Sequence, residues 1–255
     1  MTPLPHRLDR TITIRAPRAA VFRFFTDPAR WAAWWGAGST IDARPGGRVV
    51  IRMPGGVEVT GEVVELAPPD RLVFTYGFTS GAPIPPGGSI VTIRLEPDGT
   101  GTKLSLSHAF AEAAARDQHV QGWRYQLAVF GNVVSDDVHA GAAAHVDAWF
   151  RAWSDPDAES RRRALDAVAA PGVQFHDRYS LLDGLDDVLP HIAASQRFMP
   201  GLVIARDGDV RQCQGTVLAD WVATGPDGQP RGRGTNVFVC GGDGKFTSVT
   251  GFWRS

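Results

Sequence analysis

Apolar and polar side chains alternate along Thr11-Ile12-Thr13-Ile14, the period-two pattern of a strand with one buried face. Ala16-Pro17 follows, and a proline near the first helical position costs nothing, because its missing N–H would have no intrahelical partner. Val21, Phe24 and Phe25, spaced by three and four, then form a helical stripe. Asp27-Pro28 opens a second short helix that ends at Trp34-Trp35, and Gly36 closes it. From Ile41 to Ala109 the period is two. Strands are predicted over 48–53, 57–66, 71–78, 90–96 and 102–108, separated by Pro54-Gly55-Gly56, Pro68-Pro69-Asp70 and Asp98-Gly99-Thr100-Gly101. Such short connections imply an antiparallel meander. Residues 79–89, with three prolines and three glycines, read as a rim loop.

A long helix is predicted over 112–134, with Val120, Trp123, Leu127 and Phe130 on one stripe. A curved antiparallel sheet closed by one long helix leaves a space suited to a ligand. Ser135-Asp136-Asp137 and Ala140-Gly141-Ala142 form a polar, small-residue stretch that suits a boundary between residues 1–137 and 138–255, and some of it can instead continue the helix. Beyond it, Val146, Trp149, Phe150 and Trp153 start another helical stripe, broken by Asp155-Pro156-Asp157. A helix over 158–169, a short strand over 173–175 and a helix over 185–198 come next. Three strands near 212–224, 232–240 and 246–253 end the chain, with Pro226-Asp227-Gly228 and Gly241-Gly242-Asp243-Gly244 as turns. Helices followed by a curved sheet make an α+β cone. The predicted fold class is α+β in two domains: an antiparallel sheet with a long C-terminal helix, then a cone-shaped α+β barrel.

Composition adds limits. At 255 residues each half can bury its own core. Apolar content of 43% and a net charge of −1, without a basic block, describe a globular chain with no nucleic-acid footprint. No run is long enough to span a bilayer, and the N-terminus does not read as a signal peptide, so no membrane partner is expected. Cys213 and Cys240 are two thiols without metal-type spacing. They are expected as small buried hydrophobes in a reducing cytoplasm, and no disulfide framework, metal or cofactor is expected. The abundance of Ala, Gly, Pro and Arg matches a GC-rich bacterial genome.

The candidate chemistry concentrates in the second half. In Val173-Gln174-Phe175-His176-Asp177, period two puts Asp177 on the face of Val173 and Phe175, where partial desolvation would suit a general base. The alternative is that Asp177 caps the turn before Tyr179-Ser180. Asn236 falls beside Phe238 and Cys240 by the same period and offers an amide donor, or else a bond within the sheet. Trp149, Trp153, Phe175, Tyr179 and Phe238 are the expected ligand-binding residues there, and Trp34, Trp35 and Trp123 those of the first half. His176 should point away from Asp177, and His191 should lie at the surface. His108, His119, His139 and His145 show no ligand spacing. No acid, base and nucleophile set stands out in the first half.

The first half, over about residues 8–134, resembles the family named after the activator of the Hsp ATPase, in the START-like or SRPBCC helix-grip superfamily. Ala16-Pro17 with Val21-Phe22, Asp27-Pro28 with Trp34-Trp35-Gly36, Arg44-Pro45-Gly46-Gly47, Pro69-Asp70-Arg71-Leu72-Val73 and Gly122-Trp123 carry the resemblance, in order. The second half, over about residues 145–253, is similar to SnoaL-like domains of the nuclear-transport-factor-two superfamily through Phe175-His176-Asp177, Leu182-Asp183-Gly184 and Thr250-Gly251-Phe252. That superfamily includes ketosteroid isomerase and polyketide cyclases. The resemblance places Asp177 at the isomerase's base and Asn236 at its oxyanion donor, whereas Trp149 stands near its tyrosine. It also implies pairing through an open sheet, hence a homodimer. Three functions follow as expectations: binding of small hydrophobic molecules in two apolar cavities; a cofactor-independent cyclase, isomerase or dehydratase acting through Asp177; or a co-chaperone-like interaction protein.

Overall fold

The computed structural model describes residues 3–254. The chain divides into two compact units that meet between Val134 and Ser135.

The first unit begins with β1 (His6–Ile14), α1 (Arg18–Arg23) and α2 (Pro28–Trp35). Asp27 caps α2: its Oδ1 accepts from the N–H groups of Ala29 at 2.8 Å and Arg30 at 3.2 Å, and Pro28 fills the first position. Gly36 ends α2 at φ +124°, and a Cβ there would lie 2.7 Å from the Arg52 carbonyl oxygen. The strands are β2 (Thr40–Ile41), β3 (Arg48–Arg52), β4 (Glu58–Ala67), β5 (Arg71–Phe78), β6 (Ser89–Asp98) and β7 (Gly101–Phe110). They pair antiparallel in the order β1-β7-β6-β5-β4-β3-β2, so the meander is closed off by the N-terminal strand. α3 (Ala113–Val138) follows. It meets the rest of the unit through large side chains: Phe130 stacks on Phe25 at 5.0 Å, and Trp123 reaches Trp35 at 5.6 Å. Trp31, Phe25, Phe74 and Phe130 are completely enclosed.

The helix does not stop at Val134. It runs through Ser135, Asp136 and Asp137 to Val138, the continuation that the polar stretch leaves open. Gln212 explains part of this, since its Nε2 donates to the Ser135 carbonyl and to Asp136 Oδ1, giving this turn tertiary partners that composition does not register.

The second unit contains α4 (Ala142–Ser154), α5 (Ala158–Val168), β8 (Ala169–His176), β9 (Leu181–Asp183), α6 (Leu185–Phe198), β10 (Val203–Arg206), β11 (Arg211–Cys213), β12 (Thr216–Thr224), β13 (Pro230–Cys240) and β14 (Phe246–Arg254). Its sheet runs β10-β12-β13-β14-β8-β9, with β11 on β12 and one parallel pair, β14 with β8. This sheet is open and does not close into the barrel that the sequence pattern suggests. β13 alternates from Gly234 onward, burying Gly234, Asn236, Phe238 and Cys240 on one face. Trp149, Phe175, Phe238, Phe246 and Val249 form the centre of its core.

The single predicted strand over 212–224 is two strands, because Gln214 turns the chain at φ +48° before Gly215. β9 and β10 carry no period of their own and exist through pairing with β8 and β12. Cys213 is exposed rather than a buried hydrophobe; Cys240 is buried, and the two form no disulfide.

Candidate functional site

Each unit encloses a cavity. The second unit's cavity, of about 320 Å³, lies between its helices and the inner face of β8, β12, β13 and β14. Trp149, Trp153 and Phe175 line its apolar wall, and Asp177, Asn236 and Tyr179 reach it from the sheet and the turn after β8. Seven of the predicted second-half residues therefore divide six to one. Phe238 is the exception: it is wholly buried behind the cavity, against Trp149 at 6.2 Å and Phe246 at 4.6 Å, so it supports the wall without touching a ligand. Tyr179 is 70% exposed and sits at the mouth, its ring 5.5 Å from Trp253.

Asp177 is half-buried at the end of β8. Its Oδ1 accepts from the Tyr179 backbone N–H at 2.8 Å, which is the turn-capping role. Its Oδ2 accepts from Trp253 Nε1 at 3.1 Å. One oxygen therefore closes the turn, and the other is held by Trp253 at the cavity. A carboxylate has about four acceptor positions, so capacity for a ligand proton remains.

Asn236 is 5% exposed. Trp221 Nε1 donates to its Oδ1 at 2.9 Å. An indole N–H can only donate, so the carbonyl oxygen faces Trp221, and Nδ2 makes no hydrogen bond among the described residues. Trp221 lies over Gly234, where a Cβ would come within 2.5 Å of its ring, so this glycine makes the ring position possible. Trp221 also packs edge-to-face on Trp253 at 5.0 Å. Two tryptophans in contact thus anchor the two polar residues.

Between those residues lies Gly251. Its strand neighbour in β13 is Asn236, and a Cβ built on it would stand 3.1 Å from Asp177 Cβ and 3.2 Å from Asn236 Oδ1. Any side chain there would fill the gap the two groups flank. In the sequence Gly251 stands within a motif with no sign of a site role, and no local pattern marks Trp221 or Trp253 as site residues. His191 is a further correction. It is half-buried at the cavity wall, with Nε2 3.2 Å from Ser180 Oγ and its ring 5.8 Å from Trp153, because the α6 face it occupies turns toward the sheet.

The first unit's cavity, of about 580 Å³, is lined by Trp34, Trp35 and Trp123 together with Met53, Tyr76 and His119. All three predicted tryptophans are at its wall. Behind it runs a chain of bonds: Trp123 Nε1 donates to His108 Nδ1 at 3.0 Å, His108 Nε2 lies 2.8 Å from Ser89 Oγ, and that hydroxyl donates to the Tyr76 carbonyl at 2.8 Å. His108 and His119, remote in spacing, stand with ring centres 5.4 Å apart. Burial pushes the His108 imidazole well below its usual pKa, and the neighbouring His119 pushes it the same way. Burial also lowers His119, opposed by its bond to the Ala115 carbonyl. Among the described residues no group of three or more His, Cys, Asp or Glu side chains could hold a metal, and no helix is long and apolar enough to cross a membrane.

Residues 15–135 match the family model described as Activator of Hsp90 ATPase homolog 1-like protein. The match begins after β1 and ends at Ser135, the first residue of the second unit. No curated protein matches the chain. Among solved structures, the chain is similar to a SnoaL-like family protein from Agrobacterium tumefaciens (22% identity, 47% of this chain and 99% of that one, TM-score 0.43). It is also similar to CalU16 from Micromonospora echinospora (26%, 51% and 77%, 0.42) and to the Aha1 dimer from Colwellia psychrerythraea (17%, 48% and 90%, 0.42).

Proposed function

We propose that this protein binds small, largely apolar molecules, and that the second unit's cavity holds an oxygen of its ligand between Asp177 and Asn236. The observation that carries this reading is Gly251: the missing side chain leaves open space between a carboxylate and an amide in a largely apolar pocket. Apolar area would supply most of the affinity, and the two polar groups would set orientation. Native mass spectrometry of the purified chain tests the proposal. A co-purified hydrophobic ligand that is lost on substituting Gly251 supports it, and a ligand-free protein that binds no apolar probe refutes it.

A catalytic reading of the same site is favoured by the placement of Asp177. A carboxylate that keeps free acceptor positions beside Trp149, Trp153 and Phe175 can take a proton from carbon next to a carbonyl, while the Asn236 amide donates to the developing oxyanion. In that role the chain is a cofactor-independent cyclase, isomerase or dehydratase. Asp177→Asn decides between the two readings once a substrate is known. The proposal keeps a cytoplasmic setting, where cysteines such as Cys213 and Cys240 stay reduced. It also keeps a homodimer through the open sheet of the second unit, where Phe252 is 57% exposed. Light scattering on the eluted protein tests the dimer.

A further inference from the structure

Tyr76 and His119, side by side at the wall of the first unit's cavity, each leave one polar atom without a partner among the described residues, as does the buried Trp35 Nε1. Tyr76 is 2% exposed and lines the cavity, yet its hydroxyl forms no hydrogen bond there. Burial pushes this phenol above its ordinary pKa, so it keeps its proton and remains a donor. His119 projects from α3 beside it, with ring centres 5.6 Å apart and planes at 81°. Its Nδ1 lies 2.7 Å from the Ala115 carbonyl oxygen. A carbonyl can only accept, so Nδ1 carries the proton and Nε2 of the neutral ring is an acceptor. The adjacent His108 offers nothing to a ligand, because Trp123 and Ser89 occupy both of its nitrogens. Gln126, also at the wall, is anchored on the Trp34 carbonyl through its Nε2. Tyr76 and His119 therefore set one fixed donor next to one fixed acceptor, at a wall that also holds Trp34, Trp35, Phe78 and Trp123.

We propose that this corner is a hydroxyl-recognition site, so that the first unit binds a neutral, mainly apolar alcohol or phenol whose O–H donates to His119 Nε2 and whose oxygen accepts from the Tyr76 hydroxyl. The proposal rests on the reading that the protein takes small apolar molecules, and it names the class for this cavity. Only a group that donates and accepts through one atom satisfies both partners. A ketone accepts from Tyr76 and leaves His119 unmet. A carboxylate would bring negative charge into a cavity that no Lys or Arg lines, and an ammonium would find no carboxylate there. Shape alone would not separate these three, because their apolar parts can be the same. The selectivity comes from leaving a desolvated donor or acceptor unpaired when the wrong group enters.

The chain carries its own reporters for a test. Met53 lines the first cavity and Met199 lines the second, and only Met1 accompanies them. With the methionine methyls labelled with carbon-13, the full chain is titrated with 2-naphthol, 2-methylnaphthalene and 2-naphthoate. The expected result is a shift of the Met53 methyl with 2-naphthol bound about tenfold or more tighter than 2-methylnaphthalene, as one well-placed pair of hydrogen bonds implies, and with 2-naphthoate weakest. In Tyr76→Phe and in His119→Phe, which keep the aromatic contacts, the ratio of the first two affinities should fall toward one. A Met53 shift with equal affinity for 2-naphthol and 2-methylnaphthalene overturns hydroxyl recognition while leaving the apolar cavity reading intact. An unchanged ratio in both variants overturns it as well, as does 2-naphthol shifting Met199 alone. Silence of both methyls with all three compounds overturns it together with the proposed function.

Discussion

Trp123 Nε1 donates to His108 Nδ1 across 3.0 Å, and this bond decides the protonation of a histidine that is 0% exposed. Because the indole can only donate, Nδ1 must be the bare nitrogen, and Nε2–H is directed at Ser89 Oγ. Protonating His108 would break the bond to Trp123 and place a charge in the core beside His119. α3 is thereby fixed to β7 by a polar contact within an aromatic environment.

Replacing Trp123 with Phe should leave His108 Nδ1 buried without its donor. The expected cost is about 1–3 kcal/mol from the unpaired acceptor, with a further loss from the volume removed. It should be read as a lower melting temperature of the first unit. An unchanged melt would mean that the bond contributes nothing.

The lowered pKa values of His108 and His119 set the sign of the pH dependence. The unfolded chain binds a proton to each ring before the folded chain does. Stability is therefore full above the unfolded value, ~6.5, and falls as pH drops below it until the folded ring itself titrates. For His108 the slope approaches about 1.4 kcal/mol per pH unit. Thermal melts between pH 7.5 and 5 should show this decline. His108→Gln, which can accept from Trp123 and donate to Ser89, should flatten it.

Asp177→Asn keeps the shape of the side chain and removes the base. With a true substrate it should lower turnover on the order of a hundred- to ten-thousand-fold. Asn236→Ala should cost ~3 kcal/mol or less of transition-state stabilisation, while also depriving buried Trp221 Nε1 of its acceptor. Full activity in Asp177→Asn would assign the site to binding alone.

Gly251→Leu should occlude the second cavity. The first atom of the new side chain already stands 3.1 Å from Asp177 Cβ, and the remaining atoms must enter the space beyond. Apolar probes should then lose their effect on the Met199 methyl and keep it on Met53. A variant that still shifts Met199 would show that the ligand lies elsewhere.

A chain ending at Val138 and one beginning at Ser135 should each unfold cooperatively, the first carrying all of α3 and the second starting at the unit boundary. Calorimetry on the two pieces checks this. Absence of a transition in both would mean that they depend on a common core.

The strands of the first sheet other than β2, the cap at Asp27 and the stripe on α3 were legible in the chain because each rests on interactions within a few residues: a period, a turn former, a side chain bonding an N–H nearby. The face of Asp177 was legible in the same way, since β8 alternates up to it. What surrounds Asp177 was not. Trp253 is 76 residues away in sequence, and it arrives only because β14 pairs in parallel with β8. A local reading leaves the junction after Val134 open and misses the strands β9 and β10 for the same reason: their backbone partners come from elsewhere in the second unit. Likewise, His108 and His119 showed no spacing of interest until β7 and α3 brought them together. Local periodicity determined which elements form, because it records burial on one face. Tertiary pairing alone decided which polar groups meet inside the cavities, because a hydrogen bond between distant segments leaves no period in either of them.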